Sequence, residues 1–309
     1  MKALVTGGAG FIGSHLVDNL LKKNVEVIVY DDFSSGNLEN LKSVQADINI
    51  IRGDIRDTNA LDSAIKGVDL VFHLAAIASV SQSIADPIHN SAVNSTGTLN
   101  VLRAALKAEV SRVVISSSCA VYGDANEPPI KEDSLSAPKS PYASNKLASE
   151  TYAESFYQCY GLETVCLRYF NVYGPRQNAD SDYAAVIPIF IDRYRKKQSP
   201  IVYGNGLQSR DFINVFDVAE ANIKAALTDK MLINNRIFNI GTGKSTSLLE
   251  LLEILSNQAG YNISPEFKEA RKGDILSSWA DCTLAQKQLG FVNSIDLEKG
   301  LKELFEIAV

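Results

Sequence analysis

The chain has no surplus of positive charge: across 309 residues, 30 lysines and arginines face 36 aspartates and glutamates, for a net charge of −6. No Lys/Arg run forms a basic stripe, so a nucleic-acid partner is not indicated. Long apolar runs are absent too, and nothing reaches the length of a membrane-spanning helix. Glycines and Asp18 interrupt the apolar character of the first twenty residues, so no secretory leader is expected. Cys119, Cys159, Cys166 and Cys282 lack the spacing of a zinc site or a disulfide frame. A reduced, cytoplasmic protein is therefore expected. His15, His73 and His89 form no cluster in the sequence, and no metal site is expected. Internal repeats and low-complexity segments are missing as well, and the length suits one large α/β unit with a smaller appendage, or two modest domains.

What the chain does have is a glycine turn. Thr6-Gly7-Gly8-Ala9-Gly10-Phe11-Ile12-Gly13 follows the apolar run Ala3-Leu4-Val5 and opens an amphipathic stretch. Gly7 permits a tight turn, Gly10 lets backbone approach a pyrophosphate, and Gly13 lets the helix lie close on a sheet. The helix start at Phe11 and Ile12 then offers free N–H groups to an anion. Asp31 ends the next apolar run, where a carboxylate would reach a ribose 2′-hydroxyl, and no Arg follows closely; both favour NAD over NADP. Strand-like runs at 2–6, 26–31, 48–53, 68–75, 112–118 and 163–170 alternate with helix-like stretches at about 11–23, 58–66, 91–109 and 141–160. This pattern predicts a Rossmann-type, doubly wound parallel sheet with Thr6, Asp31, Asp54, Ala75, Ser118 and Asn171 on one rim. Further helices are expected near 184–197, 217–228, 247–259 and 297–307. The division expected is a nucleotide domain over 1–171 plus about 211–236, and a smaller α/β substrate-binding domain over 172–210 and 237–309.

Tyr142 and Lys146 stand four apart after Ser140-Pro141, which suits a helix cap and first position. On a helix the two side chains share a face. A neighbouring ammonium would stabilise the phenolate and let Tyr142 exchange a proton with a substrate alcohol. Tyrosine and lysine at this spacing also occur by chance on exposed helices. The strand-ending Ser116-Ser117-Ser118 favours the chemical reading, because its last hydroxyl would lie on the same rim.

Together with Val121-Tyr122-Gly123 and Arg168-Tyr169-Phe170-Asn171, these motifs resemble the extended short-chain dehydrogenase/reductase family, in order and over nearly the whole chain, and within it the nucleotide-sugar 4-epimerases. The resemblance implies catalytic Ser118, Tyr142 and Lys146. It implies bound NAD met by Gly7, Gly10, Phe11, Ile12, Gly13, Asp31, Asp54, Ile55, Leu74, Ala75, Ala76, Asn94, Ser116, Tyr142, Lys146 and Tyr169. A UDP-sugar would be held by Asn171, Arg210 and Arg271 at its diphosphate and by Asp274 near the uridine ribose, with Ser79, Ser118, Tyr142, Ala185, Val186, Tyr203 and Ser278 around the rest. Arginine suits phosphate because its planar fork donates twice. In the family the position of Ser278 faces the sugar C2 substituent, and a small residue there leaves room for an N-acetyl group. UDP-GlcNAc/UDP-GalNAc interconversion through a 4-keto sugar is thus implied, with UDP-glucose/UDP-galactose open beside it. A homodimer built on helices 91–109 and 141–160 is implied as well.

Three alternatives remain on the same scaffold. A 4,6-dehydratase would carry an Asp-Glu pair where Cys119-Ala120 stand; a uronate epimerase fits Asn171 less well; a non-catalytic dinucleotide-binding regulator would have no use for the Ser118, Tyr142 and Lys146 set. Two segments mislead. Gly241-Thr242-Gly243-Lys244-Ser245 ends like a P-loop, but the first glycine of that motif would fall on Phe238. Asn94-Ser95-Thr96 has only the form of a glycosylation sequon.

Overall fold

The computed structural model describes residues 1–124, 127–178, 185–233, 235–270 and 275–306. In chain order the strands are β1 (Lys2–Thr6), β2 (Glu26–Asp31), β3 (Asn49–Arg52), β4 (Leu70–His73), β5 (Arg112–Ser118), β6 (Thr164–Tyr169), β7 (Asn171–Tyr173), β8 (Ile201–Tyr203), β9 (Ser209–Arg210), β10 (Phe212–Asn214), β11 (Ile237–Ile240), β12 (Thr246–Ser247), β13 (Glu266–Lys268) and β14 (Ser277–Ser278). The helices are α1 (Phe11–Lys22), α2 (Thr58–Ala64), α3 (Val80–Ala85), α4 (Pro87–Ser91), α5 (Gly97–Lys107), α6 (Pro141–Tyr160), α7 (Val186–Arg195), α8 (Val215–Leu227), α9 (Leu248–Ala259), α10 (Thr283–Leu289) and α11 (Leu297–Glu306).

Seven strands form one parallel sheet in the order β11-β6-β5-β4-β1-β2-β3. Because β1 has β2 on one side and β4 on the other, the winding reverses there, and a crevice opens above its carboxyl end. Apolar residues cover both faces of the sheet. Leu16, Val17 and Leu20 of α1 join Val218, Ala221 and Ile223 of α8 in one layer. Leu61 of α2, Val101 and Leu102 of α5 and Ala153 of α6 fill the other. Burial on both faces explains why these strands read as continuous apolar runs with no alternation.

The expected division places Ile237–Ile240 in the smaller lobe, whereas these residues form the edge strand of the large sheet, paired with β6. A four-residue run directly after a polar turn gave no helical partner to announce it. The smaller lobe has its own core of Tyr173, Phe190, Tyr194, Leu251, Leu255 and Leu301. Short pairs complete it: β7 with β10, β8 with β13, and β9 between β12 and β14. The single helix expected at 91–109 is broken into α4, a π-helical turn over Ala92–Thr96, and α5.

Candidate active site

The glycine turn is a backbone device. Gly7 has φ +69°, and a Cβ there would lie 2.6 Å from the Ala75 nitrogen, where β1 and β4 meet. A Cβ on Gly13 would overlap the Gly7 carbonyl. Both positions therefore exclude any side chain, and α1 starts pressed against the turn. Gly10 caps that helix with no side-chain hydrogen bond, so among the described residues no side chain caps its first N–H groups, those of Phe11 and Ile12 among them.

Asp31 closes β2 beside this mouth. It is 6% exposed; its Oδ2 accepts from the Ala9 N–H at 2.9 Å and its Oδ1 from the Phe33 N–H at 2.8 Å. Burial pushes its carboxyl up from the usual range, against those two hydrogen bonds. A Cβ on Gly36 would come within 2.8 Å of the same carboxylate, so residues 33–37 fold over it. Phe33 and Gly36 were not anticipated. The signal available was the turn-forming Ser34-Ser35-Gly36-Asn37 after an acidic strand end.

On the other side of β1, Leu74, Ala75 and Ala76 leave β4 half-buried, and the Ala75 N–H donates to Thr6 Oγ1 at 3.3 Å. Ile55 is buried and packs where Gly97 has no side chain. The carboxylate of Asp54 is engaged by Arg56 through Nε and Nη2, which holds it below the ordinary range. Asn94 sits in the π-helical turn, and its amide brackets Ile77, accepting from that N–H at 2.8 Å and donating to that carbonyl at 2.9 Å. Such wide turns recur at functional sites. A glycine cradle, a buried carboxylate and open helix N–H groups fit a dinucleotide.

The pair expected to transfer the proton is set by α6 against β5. Ser140 Oγ accepts from the Ala143 N–H at 3.2 Å and Pro141 occupies the first turn, so the helix begins where the sequence places it. Lys146 Nζ donates to the Ser116 carbonyl at 2.7 Å and to Ser116 Oγ at 3.3 Å, and lies 6.0 Å from the centre of the Tyr142 ring. Burial pushes Tyr142 up to about 12, with the Ser118 side chain pulling it back. Burial also pushes Lys146 down to about 8. A phenol made acidic by its ammonium neighbour is thus not what the protein alone provides: desolvation outweighs the charge, because the ammonium directs its hydrogen bonds at Ser116. Tyr169 is buried and donates to Asn222 Oδ1 at 2.9 Å.

On the smaller lobe, β9 and β14 pair with Arg210 beside Ser278. Arg210 Nη1 donates to the carbonyls of Ser209 and Ile275, at 2.8 and 2.6 Å. The Asn171 N–H donates to the Asp211 carbonyl at 2.9 Å, and its Oδ1 is buried with no partner among the described residues, as a ligand-facing amide would be. Ser278 is 6% exposed. Ser79 caps α3, Ala185 and Val186 begin α7, and Tyr203 ends β8. Arg271, Asp274 and the expected substrate segment at Tyr183 and Ala184 lie outside the described residues.

Asp211 was not anticipated. Fully buried, it accepts from Thr242 N and Oγ1 at 2.8 and 2.7 Å, from Gly243 N at 3.0 Å and from Ala280 N at 3.1 Å. The segment that mimics a P-loop is therefore a nest for an internal carboxylate.

Residues 3–241 match the NAD dependent epimerase/dehydratase family. A putative UDP-glucose 4-epimerase of Methanocaldococcus jannaschii is 41% identical over 304 residues, 97% of this chain and 96% of that one. Among solved structures, the UDP-N-acetylglucosamine 4-epimerase from Methanobrevibacter ruminantium, in complex with UDP-N-acetylmuramic acid, superposes with a TM-score of 0.94 at 42% identity, covering 99% and 97% of the two chains. The UDP-glucose 4-epimerase of Thermus thermophilus, complexed with NAD, gives 0.89 at 36% identity, covering 100% of both chains. With a seven-stranded Rossmann sheet, a dinucleotide cradle and this match over most of its length, the chain belongs to the NAD dependent epimerase/dehydratase family, and its cofactor is NAD.

Proposed function

We propose that the protein inverts C4 of a UDP-sugar, with UDP-GlcNAc and UDP-GalNAc as the preferred pair and UDP-glucose and UDP-galactose also turned over. The observation that supports this reading is the meeting of Ser118, which ends β5, with Tyr142 of α6, while Lys146 of the same helix hydrogen-bonds Ser116. NAD, when bound, would supply the hydride acceptor and donor and a positive charge that favours the phenolate. The chain's own residues supply the rest. Tyr142, ionised to the phenolate by that charge, would take the C4 hydroxyl proton, Ser118 would bridge that oxygen, and the Lys146 ammonium would balance the negative charge. Arg210 and Asn171 hold the diphosphate while the 4-keto sugar turns over in the pocket, and Tyr142 returns the proton after the sugar presents its other face. Ser278, small and buried at the edge of β14, supports room for an N-acetyl group. A cytoplasmic homodimer with α5 and α6 at its two-fold axis completes the reading.

The test is direct. Purified protein, without added NAD, is incubated separately with UDP-GlcNAc and UDP-glucose, and the epimers are resolved chromatographically. UDP-GalNAc should form, and faster than UDP-galactose. No product from either sugar refutes the assignment, and product from UDP-glucose alone refutes the preference.

A further inference from the structure

Behind the serine row lies a second set of charges. Glu150 stands one turn after Lys146 on α6, and its carboxylate accepts from Arg168 Nε at 2.9 Å, from Arg168 Nη2 at 2.7 Å and from the Ser117 hydroxyl. The two charged side chains are 2% and 4% exposed. Arg168 also donates through Nη1 to the Glu132 carbonyl at 3.1 Å, and its guanidinium lies 4.6 Å over the Tyr122 ring. Helix α6 and strands β5 and β6 are therefore joined at one bidentate fork.

An ion pair this deep is a poor source of stability, since apolar packing of the same volume does as well or better. Its position suggests another use. Ser117 is flanked by Ser116, which receives Lys146 Nζ, and by Ser118, whose side chain acts on Tyr142. Glu150 thus grips the middle of the row whose neighbours meet the reacting side chains, from the helix that carries those side chains. The titratable and charged groups facing Lys146 are Tyr142 and Glu150 from its own helix, Cys166 with Arg168 beside it from β6, and His73 from β4. Burial keeps the Cys166 thiol and the His73 ring neutral, which leaves Glu150, in its fork with Arg168, as the carboxylate of that set.

We propose that the Glu150–Arg168 pair is a positioning element of the reaction, clamping the Ser116–Ser118 end of β5 to α6 and keeping the Lys146 ammonium charged. The proposal rests on the reading of Ser118, Tyr142 and Lys146 as the reacting set. Burial brings Lys146 down to about 8, with Glu150 among the groups that oppose the fall. Activity that needs the ammonium is present below the lysine pKa and lost above it, so removing the carboxylate moves the alkaline limb to lower pH.

Two variants test this. Glu150→Gln removes the anion, and Glu150→Gln combined with Arg168→Met also removes the buried cation that would otherwise be left unpaired. In Glu150→Gln the alkaline limb of kcat should move down by about one pH unit, so that kcat at pH 8 relative to pH 6.5 falls about fourfold against the parent; in the double variant, which loses a cation with the anion, kcat should fall at every pH because the clamp is gone. KM for the UDP-sugar and the content of bound NAD should stay at parent values. An alkaline limb of Glu150→Gln at the parent's pH, a parent-like kcat in the double variant, or failure of both variants to fold assigns the pair to architecture alone and overturns the proposal. A parent without epimerase activity, or a Tyr142→Phe variant at parent turnover, would instead overturn the reading beneath it.

Discussion

At the scale of single residues, the site is a contest between burial and charge. Tyr142 is pushed up to about 12 and Lys146 down to about 8, so the protein alone keeps the phenol protonated and the ammonium weakly held. Removing the hydroxyl removes the proton acceptor and nothing else of size. Tyr142→Phe should lower kcat by about 10²–10⁴-fold, the usual worth of a positioned acid or base, while NAD should stay bound because the cradle proposed for it is backbone at Gly7, Gly10 and Gly13. Turnover and NAD content of the purified variant check both halves; near-parent kcat would remove Tyr142 from the chemistry. Ser278 invites a second substitution. It is buried and lies opposite Arg210 in the β9–β14 pair. Ser278→Tyr should lose UDP-GlcNAc turnover and keep UDP-glucose turnover, and unchanged selectivity would show that this position does not read the C2 substituent.

At the scale of elements, legibility followed length and punctuation. Helix α6 was readable to its ends because Ser140 and Pro141 mark its start and Gly161, with φ +72°, its stop. The first six strands were readable because each has an unbroken apolar run at its centre, bounded by polar residues. The segment 91–109 was read as one helix, since a π-helical turn keeps helical periodicity nearly intact while shifting its phase. Only the structure shows Asn94 lifted onto Ile77 there. The two-residue strands β9, β12 and β14 are too short to have a period, yet they carry Arg210 and Ser278. Asp211, which ties them to the 241–243 turn, is recognisable only once three separate segments are seen around it. The cap of α6 yields a prediction at this scale. Ser140→Ala leaves the Ala143 N–H without its acceptor and should cost about 1 kcal/mol of stability. Since Tyr142 lies in that first turn, kcat should fall while KM is unchanged, and a parent-like kcat in the destabilised variant would show that the first turn holds its place without the cap.

At the scale of the whole molecule, two buried histidines tie separate parts of the fold together and make its stability depend on pH. His15 Nε2 and the Pro175 carbonyl, 2.9 Å apart, join α1 to the segment after β7. His73 lies between Thr6 Oγ1 at 2.8 Å and Thr98 Oγ1 at 2.9 Å, joining β1, β4 and α5. The donors run in one direction there: Thr98 donates onward to the Asn94 carbonyl at 2.6 Å, so its oxygen accepts from His73 Nε2–H, and Nδ1 accepts from Thr6. A proton added at Nδ1 would face the Thr6 hydroxyl and break that order. Burial accordingly lowers His15 to about 4 and His73 to about 3, from 6.5. The unfolded chain takes up protons at both rings as pH falls below 6.5 and the folded chain does not. The stability these rings confer is therefore complete above pH 6.5 and declines as pH drops toward 4, by about 1.4 kcal/mol per pH unit for each ring. Buried acids such as Asp31 and Asp211, whose pKa values are raised, act in the opposite sense, so the parent's slope alone does not report the histidines. Comparison with His73→Gln does, because glutamine offers a donor and an acceptor without titrating. Urea unfolding of the NAD-free protein between pH 6 and 4.5 should show the variant losing stability less steeply by about 1.4 kcal/mol per unit. Parallel slopes would mean that the His73 ring is protonated in the folded state, and the directed chain from Thr6 to Asn94 would have to be abandoned.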